Sequence, residues 1–375
     1  MQSEASMRDG WRFKARGPAL TLVLAVATAI VLGGCTARSP EAGSPSPGSS
    51  AGAGGVKVSK IAVITPEKAN DFGWNQQGVE GAAAAAASVG AACIVQDGAG
   101  YGDITPILNQ LAGDNPQLML AWASGYNTVA PQVAQQTGIA TVVIGAGSDA
   151  ANTPGLVNDL ETDAQGGAYL AGILAARTTM TGTVAIVVSA EDENWTKRSG
   201  GFIGGARSVT PGIRILYVQI GQAGYADAAG GKRVTASAIA GGADVIFGMG
   251  DGSSFGMMQA VETEPPPAGA DKVWFIDVIG DKSSLDKKGI YLSSVVWDFT
   301  AIDEKAISEV EAGTFGRATY RLDLDNGIKL LRSRFIPAEV WDEIETARQG
   351  ILDGSIEVPL TTTGKEVKAY LGSGK

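Results

Sequence analysis

The sequence predicts an α/β protein of two Rossmann-like lobes, each a parallel sheet covered by helices, joined by hinge crossovers. Two observations carry that expectation. Short β-rich runs alternate with helical stretches twice along the chain, first over 60–144 and again over 183–263, and such alternation implies parallel sheets covered on both faces. Residues 57–375 remain after a low-complexity N-terminal segment, more than one ordinary core accommodates and enough for two.

The elements follow in order. The first array reads as strand 60–65 with helix 75–89, strand 92–96 with helix 103–112, strand 118–121 with helix 127–137, and strand 141–144. The second reads as 183–188 with 196–209, 213–220 with 227–241, and 245–247 with 253–263. Thr105 and Pro106 offer a cap and a first-turn proline, Ile104, Ile107, Leu108 and Leu111 share one face, and Gly113 closes the helix. Further on, a strand over 273–276 leads into Asp277 and a β-rich run over 291–296 leads into Trp297. Pro337 opens a last helix with Val340, Ile344, Ala347 and Ile351 on one stripe, and Gly354 stops it. The expected N-terminal lobe is 57–160 with 278–300 and the C-terminal lobe 161–277 with 301–375, the chain crossing near 158–162, 277–280 and 297–301.

The first 34 residues set the expected compartment. Arg8, Arg12, Lys14 and Arg16 precede an uncharged, mostly apolar run over 18–32, the layout of a secretory signal and short of the roughly 20 residues of a spanning helix. The run ends Leu32-Gly33-Gly34-Cys35, which resembles a bacterial lipobox with Cys35 as the lipidated residue. Residues 35–56 then hold Ser, Pro, Gly and Ala with almost no large apolar side chains, and so read as a flexible tether. The expectation is an extracytoplasmic domain anchored to the cell membrane by lipid.

Composition excludes much. The chain has no histidine, which rules out Ser-His-Asp, Cys-His and His-bearing zinc sites. Net charge is −10, and −12 without residues 1–34, which carry four basic and two acidic groups; nucleic acid is disfavoured as a partner. The second cysteine, Cys93, lies in an apolar run and reads as a small core residue. No metal or cofactor is expected, because residues 323–327 (DLDNG) lack the downstream Glu of a calcium loop.

Four of the seven tryptophans fall at strand ends: Trp74, Trp122, Trp195 and Trp297. Ligands of open α/β sheets sit at those ends, where an indole offers a flat apolar face to a ring; packing of loop against core is the alternative for each. Trp274 and Trp341 read as packing residues.

Residues 60–81, KIAVITPEKANDFGWNQQGVEG, resemble the opening of the basic membrane protein (BMP) family of lipoproteins, the purine-nucleoside-receptor-like branch of ABC-transporter solute-binding proteins. The family's Asp-x-Ser-Phe-Asn motif stands here as Asp71-Phe72-Gly73-Trp74-Asn75. Residues 165–172 are similar to its Tyr-Leu-Ala-Gly helix, 242–247 to its Gly-Ala-Asp-Val-Ile strand, and 336–340 to its C-terminal helix start, in collinear order. The resemblance implies the type I periplasmic-binding-protein fold, no enzymatic activity, a monomer, a small cyclic hydroxylated ligand of nucleoside type, and an ABC permease as partner. It also implies that Asp71 and Asn75 hydrogen-bond the ligand, that Trp74 takes the place of a stacking Phe, and that Asp277 receives ribose hydroxyls. Capping of the following helices is the competing reading for all three polar residues.

The chain departs from the family pattern in two places. The stretch 276–282 needs a gap to align, and Trp297-Asp298 stands where a Lys is common. The Gly-rich loop with Asp251 is retained. Ligand capture between lobes is then expected to involve Trp74, Asn75 and Asp71 on one side and Trp195, Asp251 or Asp277 on the other. The rival classes are a sugar or polyol receptor, a ligand-sensing lipoprotein without transport, and a hydrolase using paired carboxylates such as Asp71 with Asp277 or Asp251.

Overall fold

The computed structural model describes residues 56–145, 151–222 and 224–373; the lipobox, Cys35 and the tether up to residue 55 lie outside the described residues. In chain order the strands are β1 (Lys60–Ile64), β2 (Ala92–Gln96), β3 (Leu118–Ala121), β4 (Ala140–Ile144), β5 (Val157–Thr162), β6 (Thr183–Val188), β7 (Arg214–Gln219), β8 (Val245–Met249), β9 (Trp274–Ile279), β10 (Tyr291–Trp297), β11 (Tyr320–Leu322) and β12 (Ile328–Leu330). The helices are α1 (Trp74–Ser88), α2 (Thr105–Gly113), α3 (Ala130–Thr137), α4 (Gln165–Thr178), α5 (Glu193–Val209), α6 (Ala228–Ala240), α7 (Ser253–Thr263), α8 (Thr300–Ala312), α9 (Ala338–Leu352) and α10 (Gly364–Gly372).

Two six-stranded sheets result, ordered β11-β5-β4-β3-β1-β2 and β12-β10-β9-β8-β6-β7. The first is parallel throughout, and in the second only the β10–β12 pair is antiparallel. Helices on both faces bury the central strands, which is why β3 is an unbroken apolar run and β4 is interrupted only by Thr141, while edge strand β2 is half-exposed. The expected fold class holds.

The expected lobe limits do not coincide with the sheets. β9 runs to Ile279 and β10 pairs beside it in the second sheet, so 278–297 belongs with the C-terminal lobe. Conversely α8 packs on α1, and β11 joins the edge of the first sheet. The chain therefore crosses between sheets after β5, after β10 and between β11 and β12, and not at 277–280. Alternating pattern reports that a strand exists but not which sheet edge completes it. The short strands β11 and β12, three residues each, carry too little period to be read at all.

Local signals were mostly realised. α2 begins one step differently: Ile104 is the N-cap, and Asp103 rather than Thr105 supplies the capping oxygen, accepting from the Thr105 N–H at 3.0 Å. Pro337 caps α9 as expected, and Gly354 just beyond it takes a positive φ of 78°. Cys93, on β2, is a half-buried free thiol packed against the core; burial first and Asp303 second push its pKa up to about 11.

The α4–α5 pair supports the site. Small residues let the two backbones touch: a Cβ on Gly201 would lie 2.2 Å from the Gln165 carbonyl oxygen, and one on Gly205 would lie 1.9 Å from that of Tyr169. This contact seats α5, whose first turns carry Trp195 and Arg198.

Asp303 on α8 is fully buried, with neither carboxyl oxygen partnered among the described residues. Burial, and secondarily Asp298, raise its pKa well above the usual carboxylate range. A pKa raised in the folded state means that its contribution to stability is full below the unfolded value near about 4 and is lost as pH rises through the folded value. Asp303→Asn should therefore be more stable than wild type at pH 8, by about 1–3 kcal/mol, and the gap should narrow toward pH 4. Urea melts at both pH values check this; equal pH slopes in the two proteins would refute it.

Candidate functional site

A cavity of about 250 Å³ lies where the carboxyl ends of both sheets meet. Pro66 follows β1, Ala123, Ser124 and Gly125 follow β3, Ile144 ends β4, and Tyr101 follows β2. From the second lobe come Asp192, Asn194, Trp195 and Arg198 after β6, Tyr225 after β7, Asp251 after β8, Ile279 at the end of β9 and Trp297 at the end of β10. Parallel strands with α-helical crossovers place every βα loop at one edge, so the sites of the two sheets face one another.

Trp74 forms one wall. Its indole N–H donates to the Trp122 carbonyl at 2.8 Å and its ring stacks on Trp122, centroids 5.9 Å apart at 24°. Trp297 and Phe299 meet it edge-on at 5.9 and 5.5 Å. Trp122 is itself fully buried behind Trp74 and does not line the cavity. It fits only because position 78 on α1 is glycine: a Cβ there would lie 1.9 Å from the Trp122 ring nitrogen.

Of the other expected residues, Trp195, Asp251 and Trp297 line the cavity together with Trp74. Asp71 and Asn75 do not. Asp71 accepts from the backbone N–H groups of Gly73, Asn75 and Gln76 at 2.9–3.2 Å and from the Asn75 side chain at 2.7 Å. Asn75 in turn accepts from the Glu67 N–H at 3.2 Å. Both residues are consumed in capping α1 and holding the loop ahead of it, so they orient Trp74 from behind. Asp277 is likewise turned inward: fully buried within β9, it pairs with Lys282 at 2.7 Å and accepts from Ser254 at 3.2 Å.

Lys282 links the lobes. Its ammonium also donates to the Phe72 carbonyl at 3.0 Å, and that residue belongs to the loop before α1. Asp251 makes a second link, accepting from the Trp74 N–H at 3.4 Å. The strained backbone gathers here too, since Phe72 has φ 49° and β-branched Ile279 has φ 70°. Burial, then the nearby Asp71, push the Asp251 pKa up to about 7.

Sequence reasoning missed Arg198, Asp192, Tyr101 and Tyr225. Arg198 is 1% exposed and its guanidinium carbon lies 4.6 Å from the Trp195 ring centroid and 4.2 Å from that of Trp297. The one signal available was spacing: Trp195 and Arg198 are three apart, hence on one face of α5. Asp192 caps α5 through the Asn194 N–H at 2.8 Å and accepts from the Tyr225 hydroxyl at 2.8 Å. Among the described residues no group of acidic or cysteine side chains could hold a metal ion, and no helix is long and apolar enough to cross a membrane.

A family model for ABC transporter substrate-binding proteins of the PnrA-like type matches residues 58–362. The chain is 28% identical over 202 residues to the ABC transporter nucleoside-binding protein BmpA of Lactococcus lactis subsp. cremoris, a match covering 51% of this chain and 57% of that protein. It is 27% identical over 204 residues to the CD4+ T-cell-stimulating antigen of Listeria monocytogenes, again over 57% of the relative; the matches thus span little more than half the length of these curated relatives. A solved ABC transporter solute-binding protein from Aeropyrum pernix superposes with a TM-score of 0.70 at 16% identity, covering 84% of this chain and 98% of that one. One from Conexibacter woesei gives 0.65 at 18%, covering 80% and 98%. At such identities the two structures speak for the fold alone, and they and the family are solute-binding proteins rather than enzymes. The family match over 58–362, in the collinear order of the motifs and on two parallel-sheet lobes, shows that this chain belongs to the PnrA-like family of ABC transporter substrate-binding proteins.

Proposed function

We propose that the chain is the extracytoplasmic receptor of an ABC importer, anchored as a monomer through lipid on Cys35, that captures a nucleoside-like solute between its lobes. The observation that carries this reading is the aromatic-walled cavity between the strand ends of the two sheets. Its volume of about 250 Å³ is near the lower end of ligand pockets, about 300–1,000 Å³, and suits one ring system with its substituents rather than an oligomer. Trp74 offers a ring face, and Asp251 offers a carboxylate to hydroxyl donors. The nucleoside-binding Lactococcus relative supports the ligand class.

Capture would proceed by hinge motion at the three crossings, after β5, after β10 and between β11 and β12. Ligand meets one lobe, and closure then brings Asp251 to the Trp74 N–H and Lys282 to the Phe72 carbonyl, excluding water from the polar contacts. The permease would read the closed form.

The test is a melting and tryptophan-fluorescence screen of the protein against nucleosides, free bases, sugars and polyols. A ligand at a hundred times its Kd stabilises by about 2.7 kcal/mol. A shift with nucleosides alone upholds the reading. A shift with sugars or polyols instead would replace the ligand class, and a flat response throughout would remove the receptor assignment.

A further inference from the structure

Arg198 carries a positive charge into the cavity with no ion-pair partner among the described residues. Its Nε and Nη1 have no hydrogen-bond partner among the described residues, and neither do the indole nitrogens of Trp195 and Trp297. Burial holds the guanidinium pKa down to about 9, which leaves it cationic at neutral pH. Two carboxylates bear on it electrostatically, Asp192 and Asp251, but their hydrogen bonds run elsewhere, to Asn194 and Tyr225 and to Trp74. These three lining residues thus carry buried donors in excess. A desolvated ion with unfilled donors is costly, and an occupant that brings acceptors would remove that cost.

The geometry narrows the acceptor. The guanidinium carbon lies over two indole rings, an arrangement that leaves the in-plane N–H edge as the part able to hydrogen-bond. A guanidinium edge is a fixed fork that matches two adjacent acceptors in one plane. We propose that Arg198 is the specificity-determining residue of the cavity and takes a planar ligand edge with two adjacent acceptors. That edge is the oxo and ring-nitrogen pair of a 6-oxopurine nucleoside or the carboxylate of a sugar acid. The first pair is the one arginine reads on guanine, whereas a 6-aminopurine would set its amino donor against the fork. This inference rests on the cavity being the ligand site, as the proposed function has it.

Calorimetric titration of the full chain and of Arg198→Met and Arg198→Lys tests it, with two ligand pairs: inosine against adenosine, and glucuronate against glucose. In at least one pair the acceptor-bearing member should bind on the order of tenfold or more tighter. Arg198→Met should abolish that preference, and Arg198→Lys, which keeps charge without the planar fork, should retain only a small part of it. Melting curves establish that each variant is folded; if Arg198→Met is not, Arg198→Lys decides. A preference for inosine lost in the variants supports both the Arg198 assignment and the nucleoside reading. A preference confined to glucuronate upholds Arg198 and removes the nucleoside reading. Equal binding within both pairs, or a preference that survives in Arg198→Met, overturns the Arg198 assignment while leaving nucleoside capture standing wherever nucleosides bind. Failure of all four ligands to bind overturns both.

Discussion

Replacing Gly280 with alanine should weaken ligand binding by about a hundredfold while leaving the melting temperature of the ligand-free protein within a few degrees of wild type. A Cβ at this position would lie 2.0 Å from the Phe72 carbonyl oxygen and 2.6 Å from its carbonyl carbon. Both are backbone atoms of the opposite lobe, so no side chain can rotate away. The contact adjoins the Lys282–Phe72 bond and the strained φ values at Phe72 and Ile279. The low-cost response is separation of the lobes, because each sheet keeps its own core. An overpacked contact costs about 1–3 kcal/mol, and a closed state raised by 3 kcal/mol loses roughly 150-fold in apparent affinity. Calorimetric titration measures the loss, and small-angle scattering with and without ligand follows closure. Affinity and radius of gyration both matching wild type would show that the lobes do not bind by closing at this contact.

Trp74→Ala should have the second large effect, on stability as well as binding. The indole fills the space between Trp122, Trp297 and Phe299 and donates to the Trp122 carbonyl. Large-to-small changes at packed aromatics cost about 3–5 kcal/mol; Trp74 is only partly buried, so about 2–4 kcal/mol is expected, seen as a fall of several degrees in Tm. Ligand affinity should drop in parallel as the stacking face disappears. Trp74→Phe separates the two roles: it keeps a ring face but not the indole N–H, and should recover most of the affinity and only part of the stability. If Trp74→Ala melts like wild type, the aromatic cluster is not the support it is taken for here.

These two expectations draw on different kinds of information. Trp74 was legible as a candidate because a tryptophan at a strand end, just before an Ala-rich helical run, is an unusual placement that the linear pattern exposes. The same pattern exposed Trp195 and Trp297, which line the cavity with it, and Trp122, which is buried behind it, whereas Asp251 was marked by its Gly-rich loop. Gly280 was not legible, because what makes it matter is the carbonyl of a residue some two hundred positions earlier.

Asp71, Asn75 and Asp277 mark the boundary between the two. Residue type and family resemblance place them near a ligand, yet each has its hydrogen-bonding capacity taken up inside the protein, by the start of α1 or by Lys282. A carboxylate can serve a helix N-terminus, an ammonium or a ligand from the same sequence position, and only the directions of its neighbours decide which. Arg198 is the converse. As one of two arginines in a glycine-rich helix it carries no signal beyond its spacing from Trp195, and it acquires meaning only where α5, seated on α4 through glycine contacts, brings it over Trp297 from another strand.

By itself the sequence determined the α/β class, the order and most limits of the longer elements, the family, and three of the four tryptophans expected at the cavity wall. These follow from periodicity and residue type, which are properties of neighbours along the chain. The tertiary structure alone decided that β10 completes the second sheet, that α8 and β11 return to the first, that Asp71, Asn75 and Asp277 face inward, and that a guanidinium without an ion-pair partner among the described residues stands at the cavity. Those outcomes depend on which distant groups meet, and a hydrogen bond or a close backbone approach leaves no imprint on local sequence pattern.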